Sequence, residues 1–293
     1  MIVVRLWGGL GNQMFQYALG RRLAIANDVP LKLDLTALVE DPVRRFGCDL
    51  FRIRARIASP ADLAMFSEAK PAASAGRSWP ATWSRIAKRP RAAMVFERSL
   101  TFDPAVLATR SPALLLGHWQ SERYFVEVAP TIRADFQLAE PMTAGRNELL
   151  GRIASCNAVS VHIRRGDYVT NPAANAFHGT IDADWYRRSL DLMVEWAGDP
   201  TFFVFSDDPA AARALLQTDR PTVFVDPGAD RRDAEDLHLM AACRHHVIAN
   251  SSFSWWGAWL NPHPARRVIA PAEWFVGVRT RTGDRVPPGW IAL

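Results

Sequence analysis

Residues 201–260 read TFFVFSDDPAAARALLQTDRPTVFVDPGADRRDAEDLHLMAACRHHVIANSSFSWWGAWL, and their alternation decides the fold. Thr201 to Phe205, Thr222 to Val225 and His246 to Ala249 are short runs rich in β-branched, aliphatic or aromatic residues, as buried strands are. Pro209 to Gln217, Asp233 to Cys243 and Phe253 to Leu260 separate and follow them with helical patterning. Upstream, Ala158 to Ile163 adds a strand and Asp184 to Trp196 a helix. Strands that alternate with helices imply a parallel sheet covered on both faces.

The same theme opens the chain. Ile2 to Trp7 reads as a buried strand that ends in the tight turn Gly8-Gly9-Leu10-Gly11. Asn12 is placed to cap the following helix, whose apolar face carries Met14, Phe15, Tyr17, Ala18, Leu19 and Leu23. Leu31 to Leu35 is a second strand. The signal fades from Ser59 to Glu97, where Pro71, Pro80 and Pro90 indicate irregular or short helical structure. Ala113 to Gly117 is a short strand, and Ser121 is placed to cap a helix running towards Ala129. Gln137 to Gly145 reads as a linker. The expected organisation is α/β, with two Rossmann-like domains, 1–140 and 141–293, facing a cleft. There is no internal repeat and no low-complexity segment.

Bulk composition agrees with this. The chain has 293 residues, 49% hydrophobic and 22% charged, which suffices for a sizeable core and gives no sign of disorder. The net charge is +5, and only three of the 35 basic residues are lysines (Lys32, Lys70, Lys88). Arginine suits bidentate phosphate binding, although codon bias gives the same skew. No block of like charges points to nucleic acid. Cys48, Cys156 and Cys243 are odd in number and far apart, which indicates neither a zinc site nor a disulfide framework and fits a reducing compartment. Met1 leads into Ile-Val-Val-Arg without the regions of a signal peptide, and no apolar run approaches the ~18 residues of a membrane span. The expectation is a cytoplasmic protein, with peripheral contact to a membrane left open.

Several segments could carry chemistry. The glycine turn 8–11 allows close backbone approach beside a helix N-terminus that attracts anions. It completes neither GxGxxG nor a P-loop, so an ordinary tight turn explains it equally well. Val159 to Tyr168 delivers Arg164 and Arg165 to a strand's carboxyl end, where open α/β sheets bind ligands and where cations would neutralise a diphosphate. The alternative is one arginine paired with Asp167 and the other in solvent. Asp207 or Asp208 reads as the helix cap before Pro209. Ser251 and Ser252 open a helix after an apolar strand, which makes an anion site. Trp255, Trp256 and Trp259 share one helical stripe and read as core. Asp182 and Asp184 have the spacing with which paired carboxylates hold a hard cation, but capping and dipole compensation of the next helix explain them without a metal.

Taken together, GGLGNQMFQYA at 8–18, HIRRGDY at 162–168, FSDD at 205–208 and NSSFSWWG at 250–257 resemble the GDP-fucose-dependent alpha-1,2-fucosyltransferases. They occur in that family's order and span nearly the whole chain, while Ser59 to Arg98 carries none of the likeness. The resemblance implies a GT-B architecture with the donor held mainly by the C-terminal domain and the acceptor by the N-terminal one. It implies GDP-β-L-fucose as donor, a galactose-containing glycan as acceptor, inverting transfer to the 2-hydroxyl, and neither metal nor other cofactor. By similarity to related fucosyltransferases, Arg164 grips the β-phosphate, His162 lies beside guanine and ribose, and Asp236 reads guanine N1 and N2. Ser251 and Ser252 meet the phosphate, and Asn12, with Gly9 and Gly11 of its loop, faces the donor sugar. The alpha-1,6 enzymes place a glutamate base after their arginine motif. Residues 170–178 here contain no carboxylate, which leaves Asp167 and then His178 as candidate bases. The competing readings are a metal-dependent GT-A transferase using Asp182 and Asp184, and a nucleotide- or carbohydrate-binding module without catalysis.

Overall fold

The computed structural model describes residues 1–67, 92–165, 176, 179–226, 233–277 and 284–293. The chain divides into two compact units, Met1–Phe136 and Gln137–Leu293.

The first unit runs β1 (Ile2–Arg5), α1 (Leu10–Ala26), β2 (Leu31–Asp34), α2 (Thr36–Val39), β3 (Arg56–Ile57), α3 (Pro60–Ala64), β4 (Ala93–Phe96), β5 (Ala113–Leu116) and α4 (Ala129–Asp135). Its sheet is parallel throughout, in the order β3-β2-β1-β5-β4. β1 is central, and Ile2, Val3 and Val4 are wholly buried, as strands covered on both faces must be. Gly20 lets α1 lie close to the sheet, because a Cβ there would come within 2.9 Å of the Leu31 side chain. Tyr17 of α1 donates to buried Asp135 at 2.7 Å, and Arg21 joins the same carboxylate at 2.8 Å, which ties α1 to α4.

Three expectations for this unit need correction. Leu10 already begins α1 and Gly9 is its N-cap residue, so Asn12 lies inside the first turn and caps nothing. Ser121 starts no long helix. It accepts from the Arg123 amide, and two 3-10 turns, Glu122–Tyr124 and Val126–Val128, precede α4. Buried Phe125 between them has φ −145, which interrupts helical propagation. Within 59–97, described residues form α3, closed by a Ser59–Asp62 capping box, and the edge strand β4. β4 is only half buried, so its pattern lacks the contrast that marks a strand. Pro71, Pro80 and Pro90 fall outside the described residues.

The second unit runs α5 (Ala144–Ala154), β6 (Ala158–Ile163), α6 (Ala183–Ala197), β7 (Thr201–Ser206), α7 (Pro209–Leu215), β8 (Thr222–Phe224), α8 (Asp233–Ala242), β9 (His245–Val247), α9 (Ser252–Leu260), β10 (Val268–Ala270) and β11 (Ile291–Ala292). α5 takes in the last two residues of the stretch 137–145, so that stretch is not a linker throughout. The strands are all parallel, in the order β11-β10-β9-β6-β7-β8. Counted by appearance this is 6-5-4-1-2-3, the order of dinucleotide-binding sheets, and it reverses direction between β6 and β9. The tryptophan stripe of α9 is core. Trp255 and Trp259 stack at 6.0 Å, and Trp256 meets them edge-on at 5.0 and 5.2 Å. Between β6 and β9, His246 bonds Ser160 Oγ through Nδ1 and the Asn261 amide through Nε2, each at 2.8 Å. All three residues are buried, so this polar chain clamps the dry interior instead of serving a surface. Among the described residues no helix is long and apolar enough to cross a membrane.

Two glycines give opposite expectations. A Cβ on Gly117 would fall 2.4 Å from Glu97 Cβ and 2.6 Å from the Trp119 ring, whereas one on Gly151, in the exposed middle of α5, meets nothing within 4 Å. Gly117→Ala should lower stability by about 1–3 kcal/mol. Gly151→Ala should raise it by about 0.5–1 kcal/mol. Urea denaturation of the two variants reads both.

Candidate functional site

β6 and β7 pair residue for residue, Ala158 with Thr201 through Ile163 with Ser206. The first residues beyond the two strands are Arg164 and Asp207, and they form an ion pair at 3.0 Å. The other Asp207 oxygen accepts from the Arg165 amide at 2.9 Å. Asp208 is the residue that caps α7, accepting from Ala211 N at 2.9 Å. Asp207 is thus a charge partner of Arg164 and no cap. Asp167 and His178 lie outside the described residues.

Across the reversal point, β9 leads into Asn250 and Ser251. Ser251 is the N-cap residue of α9 but makes no side-chain cap bond, so the first amides of the helix are left to other acceptors. Ser251 is buried and Ser252 half-buried. Phe253, in the same turn, lies 5.8 Å from the ring of His162, which ends β6. His162, Arg164, Ser251 and Ser252 therefore gather at the carboxyl edge of this sheet. A guanidinium beside an uncapped helix N-terminus is an arrangement that binds anions.

His162 is 3% exposed. Burial, helped by the Arg164 charge and opposed by Asp207, pushes its imidazole down to about 3. It is neutral at pH 7, and its Nδ1 has no hydrogen-bond partner among the described residues. The backbone carbonyl of His162 accepts from Tyr186 Oη at 3.0 Å, which fixes this strand end. Asp236 stands in the first turn of α8 and carries an ion pair of its own with Arg146 of α5, at 3.0 Å. Its neighbour Glu235 accepts from Thr143 N and Oγ1 at 3.1 and 3.2 Å. Asp182 caps α6 through Trp185 N at 2.7 Å, and exposed Asp184 pairs with Arg187 at 3.1 Å, as capping predicts.

In the first unit the glycine loop follows β1. Gly8 has φ +75, and a Cβ there would press within 2.8 Å of Asn12 Nδ2; Gly9 ends the loop and Gly11 is buried in the first turn of α1. Gln13 donates to Gly8 O and Arg45 O at 2.9 and 2.8 Å, and Gln16 accepts from Trp7 N at 3.1 Å. Asn12 Oδ1 accepts from Gln120 at 2.8 Å, and Trp7 Nε1 donates to His118 at 3.2 Å. The carboxyl ends of β1 and β5 are thereby joined. Trp119 has φ +59, which is strained for a bulky residue and costs on the order of 1–3 kcal/mol. Glu97 holds it there by accepting from the amides of His118 and Trp119 at 2.7 and 3.0 Å. Glu97, His118, Gln120 and Arg146 escape sequence reading, and Asp207 is read there only as a cap and as part of FSDD.

Two parallel α/β units, one with the strand order of dinucleotide-binding sheets, define a Rossmann-like α/β protein. The family described as Glycosyl transferase family 11 matches residues 96–293, and the chain belongs to it. The alpha-1,2-colitosyltransferase of Escherichia coli is 32% identical over 302 residues, which takes in 100% of this chain and 99% of that one. The galactoside 2-alpha-L-fucosyltransferase Sec1 of Mus musculus is 35% identical over 104 residues, 35% of this chain and 28% of the other. Among solved structures, the alpha-1,6-fucosyltransferase NodZ soaked with GDP-fucose is 13% identical, with 89% of this chain and 92% of that chain covered at a TM-score of 0.46. Similarity at that level carries no functional argument. The protein is a glycosyltransferase among relatives named for alpha-1,2 transfer.

Burial also pushes the His246 imidazole down to about 3. His162 and His246 are neutral in the folded chain at pH values where the unfolded chain, titrating near 6.5, has already taken up protons. Stability should therefore fall as pH drops from about 6.5 towards 3, by at most about 1.4 kcal/mol per pH unit for each histidine. Urea midpoints between pH 7 and 4.5 measure the slope, and His162→Gln should make it shallower.

Proposed function

We propose that the chain transfers L-fucose from GDP-β-L-fucose to the 2-hydroxyl of a galactose-type acceptor, with inversion and without a metal. What supports this is the Arg164 guanidinium, held by Asp207 at the carboxyl end of β6, with the uncapped start of α9 on the same sheet edge across the reversal point. In the reaction the bond from fucose C1 to the β-phosphate oxygen breaks, and its electron pair stays on the leaving GDP. The acceptor 2-oxygen bonds C1 from the opposite face and yields its proton to a base. Arg164 and the α9 amides, with Ser251 and Ser252, stabilise the charge that grows on the diphosphate, as a divalent metal would elsewhere. Asp207 occupies part of the guanidinium fork, which has five N–H donors, and fixes its direction.

Neutral His162 is assigned to the ribose and guanine, and Asp236 to guanine N1 and N2. In the first unit, Asn12 with Gly9 and Gly11 is a candidate for a sugar hydroxyl. Asp167 and then His178 remain the candidate bases. The free cysteines, of which Cys48 and Cys243 are buried, fit a reducing compartment, and the transfer is assigned to the cytoplasm, with peripheral membrane contact compatible. A second reading keeps the chemistry and changes the donor, because the relative matched over its whole length is named for colitose.

GDP-fucose and GDP-colitose, each offered with lactose and N-acetyllactosamine, test this by linkage analysis of the product in EDTA. An alpha-1,2 product from GDP-fucose is expected. No product, or activity lost in EDTA and restored by manganese, would refute the proposal. Arg164→Ala should reduce kcat on the order of 100–1,000-fold while the urea midpoint stays close to wild type.

A further inference from the structure

The first unit contains a cavity of about 230 Å³ at the carboxyl end of β4, lined in part by Phe96, Glu97, Ser99, Thr101, Phe102 and Trp119. It lies at the edge of the sheet where open α/β folds bind ligands. Its lining combines aromatic rings with hydroxyls. Glu97 and Asp103 are balanced in part by Arg98, so it offers no surplus of cations for a phosphate. Sites for drug-sized ligands begin near ~300 Å³, so the space suits one ring and not a nucleotide. The exposed Phe96 ring beside the hydroxyls of Ser99 and Thr101, with buried Trp119 forming the wall behind, matches a pyranose, which has apolar C–H faces and a polar rim.

The wall is also built under strain. Trp119 is held at φ +59 by the Glu97 carboxylate, and backbone strain collects where ligands are clamped. The next residue, Gln120, bonds Asn12 of the glycine loop at 2.8 Å. The cavity wall and the loop proposed to meet a sugar are therefore one hydrogen-bonded assembly. We propose that this cavity is a subsite for one neutral sugar ring of the acceptor glycan. The word acceptor rests on the transfer reaction proposed above, while the sugar site rests on the cavity alone.

The test uses the full chain with 15N-labelled tryptophan, titrated with lactose and N-acetyllactosamine in the presence of GDP. Trp119→Phe assigns the Trp119 indole signal. Should that variant not fold, Ser99→Ala identifies the signal by perturbing it. The expected result is a saturable shift of this signal. In addition, Thr101→Val should raise the acceptor KM about tenfold, the effect of losing one net hydrogen bond, with the donor KM unchanged. A Trp119 signal unmoved by both sugars, or an unchanged acceptor KM in Thr101→Val, overturns the subsite. Transfer with an unmoved signal removes the subsite and keeps the reaction. A shifting signal without transfer does the reverse.

Discussion

The charge pair between Arg164 and Asp207 depends on a backbone constraint. Two six-residue parallel strands in perfect register must end together, so the next residue of each stands beside the other. An arginine at such an edge would otherwise sweep a wide volume and lose much rotamer freedom on meeting any anion. With Asp207 in place that ordering cost falls on folding instead of on binding, which is how preorganised sites gain rate. The same edge carries His162, kept neutral by burial and by the arginine beside it. A protonated imidazole there would add a second cation next to Arg164 without a carboxylate of its own.

Much of the second unit is legible in the sequence because its strands are short, buried and bounded by caps and turns. Ala158 to Ile163 is found where the pattern puts it, and the helices after it differ by a residue or two at their ends. The strands β3, β4, β10 and β11 are not legible, and all but β10 lie at a sheet edge. β3 and β11 have only two residues, too few for a period of two to register, and β4 is only partly buried. Helix α5 escapes for a different reason. It is mostly exposed, with Ile153 its one buried residue, and it follows a stretch of proline, threonine and glycine that reads as a break.

The site shows the same division. Residues named for their chemical type at strand ends, Arg164 and Ser251 among them, are found at the carboxyl edge of the sheet. The groups that hold them come from distant segments, and no local pattern announces those: Asp207 for Arg164, Arg146 for Asp236, Gln120 for Asn12. Asn12 shows how a local rule fails. An asparagine after a glycine turn reads as a cap, but the turn closes three residues earlier and releases the side chain to bond across the sheet end.

The position of β1 has a consequence for assembly of the chain. It is the central strand of the first sheet, pairing Ile2 with Leu31 on one side and with Ala113 on the other. The first partner is near in sequence and the second is remote, so half of the strand's hydrogen bonds must wait for residues made much later. At ribosomal speeds of roughly 5–20 residues per second, that delay is several seconds or more. During it one edge of a strand that is apolar from Ile2 to Val4 stands open to chance pairing. Unit 2 meets the same constraint, because β6 pairs with the nearby β7 on one side and with the remote β9 on the other.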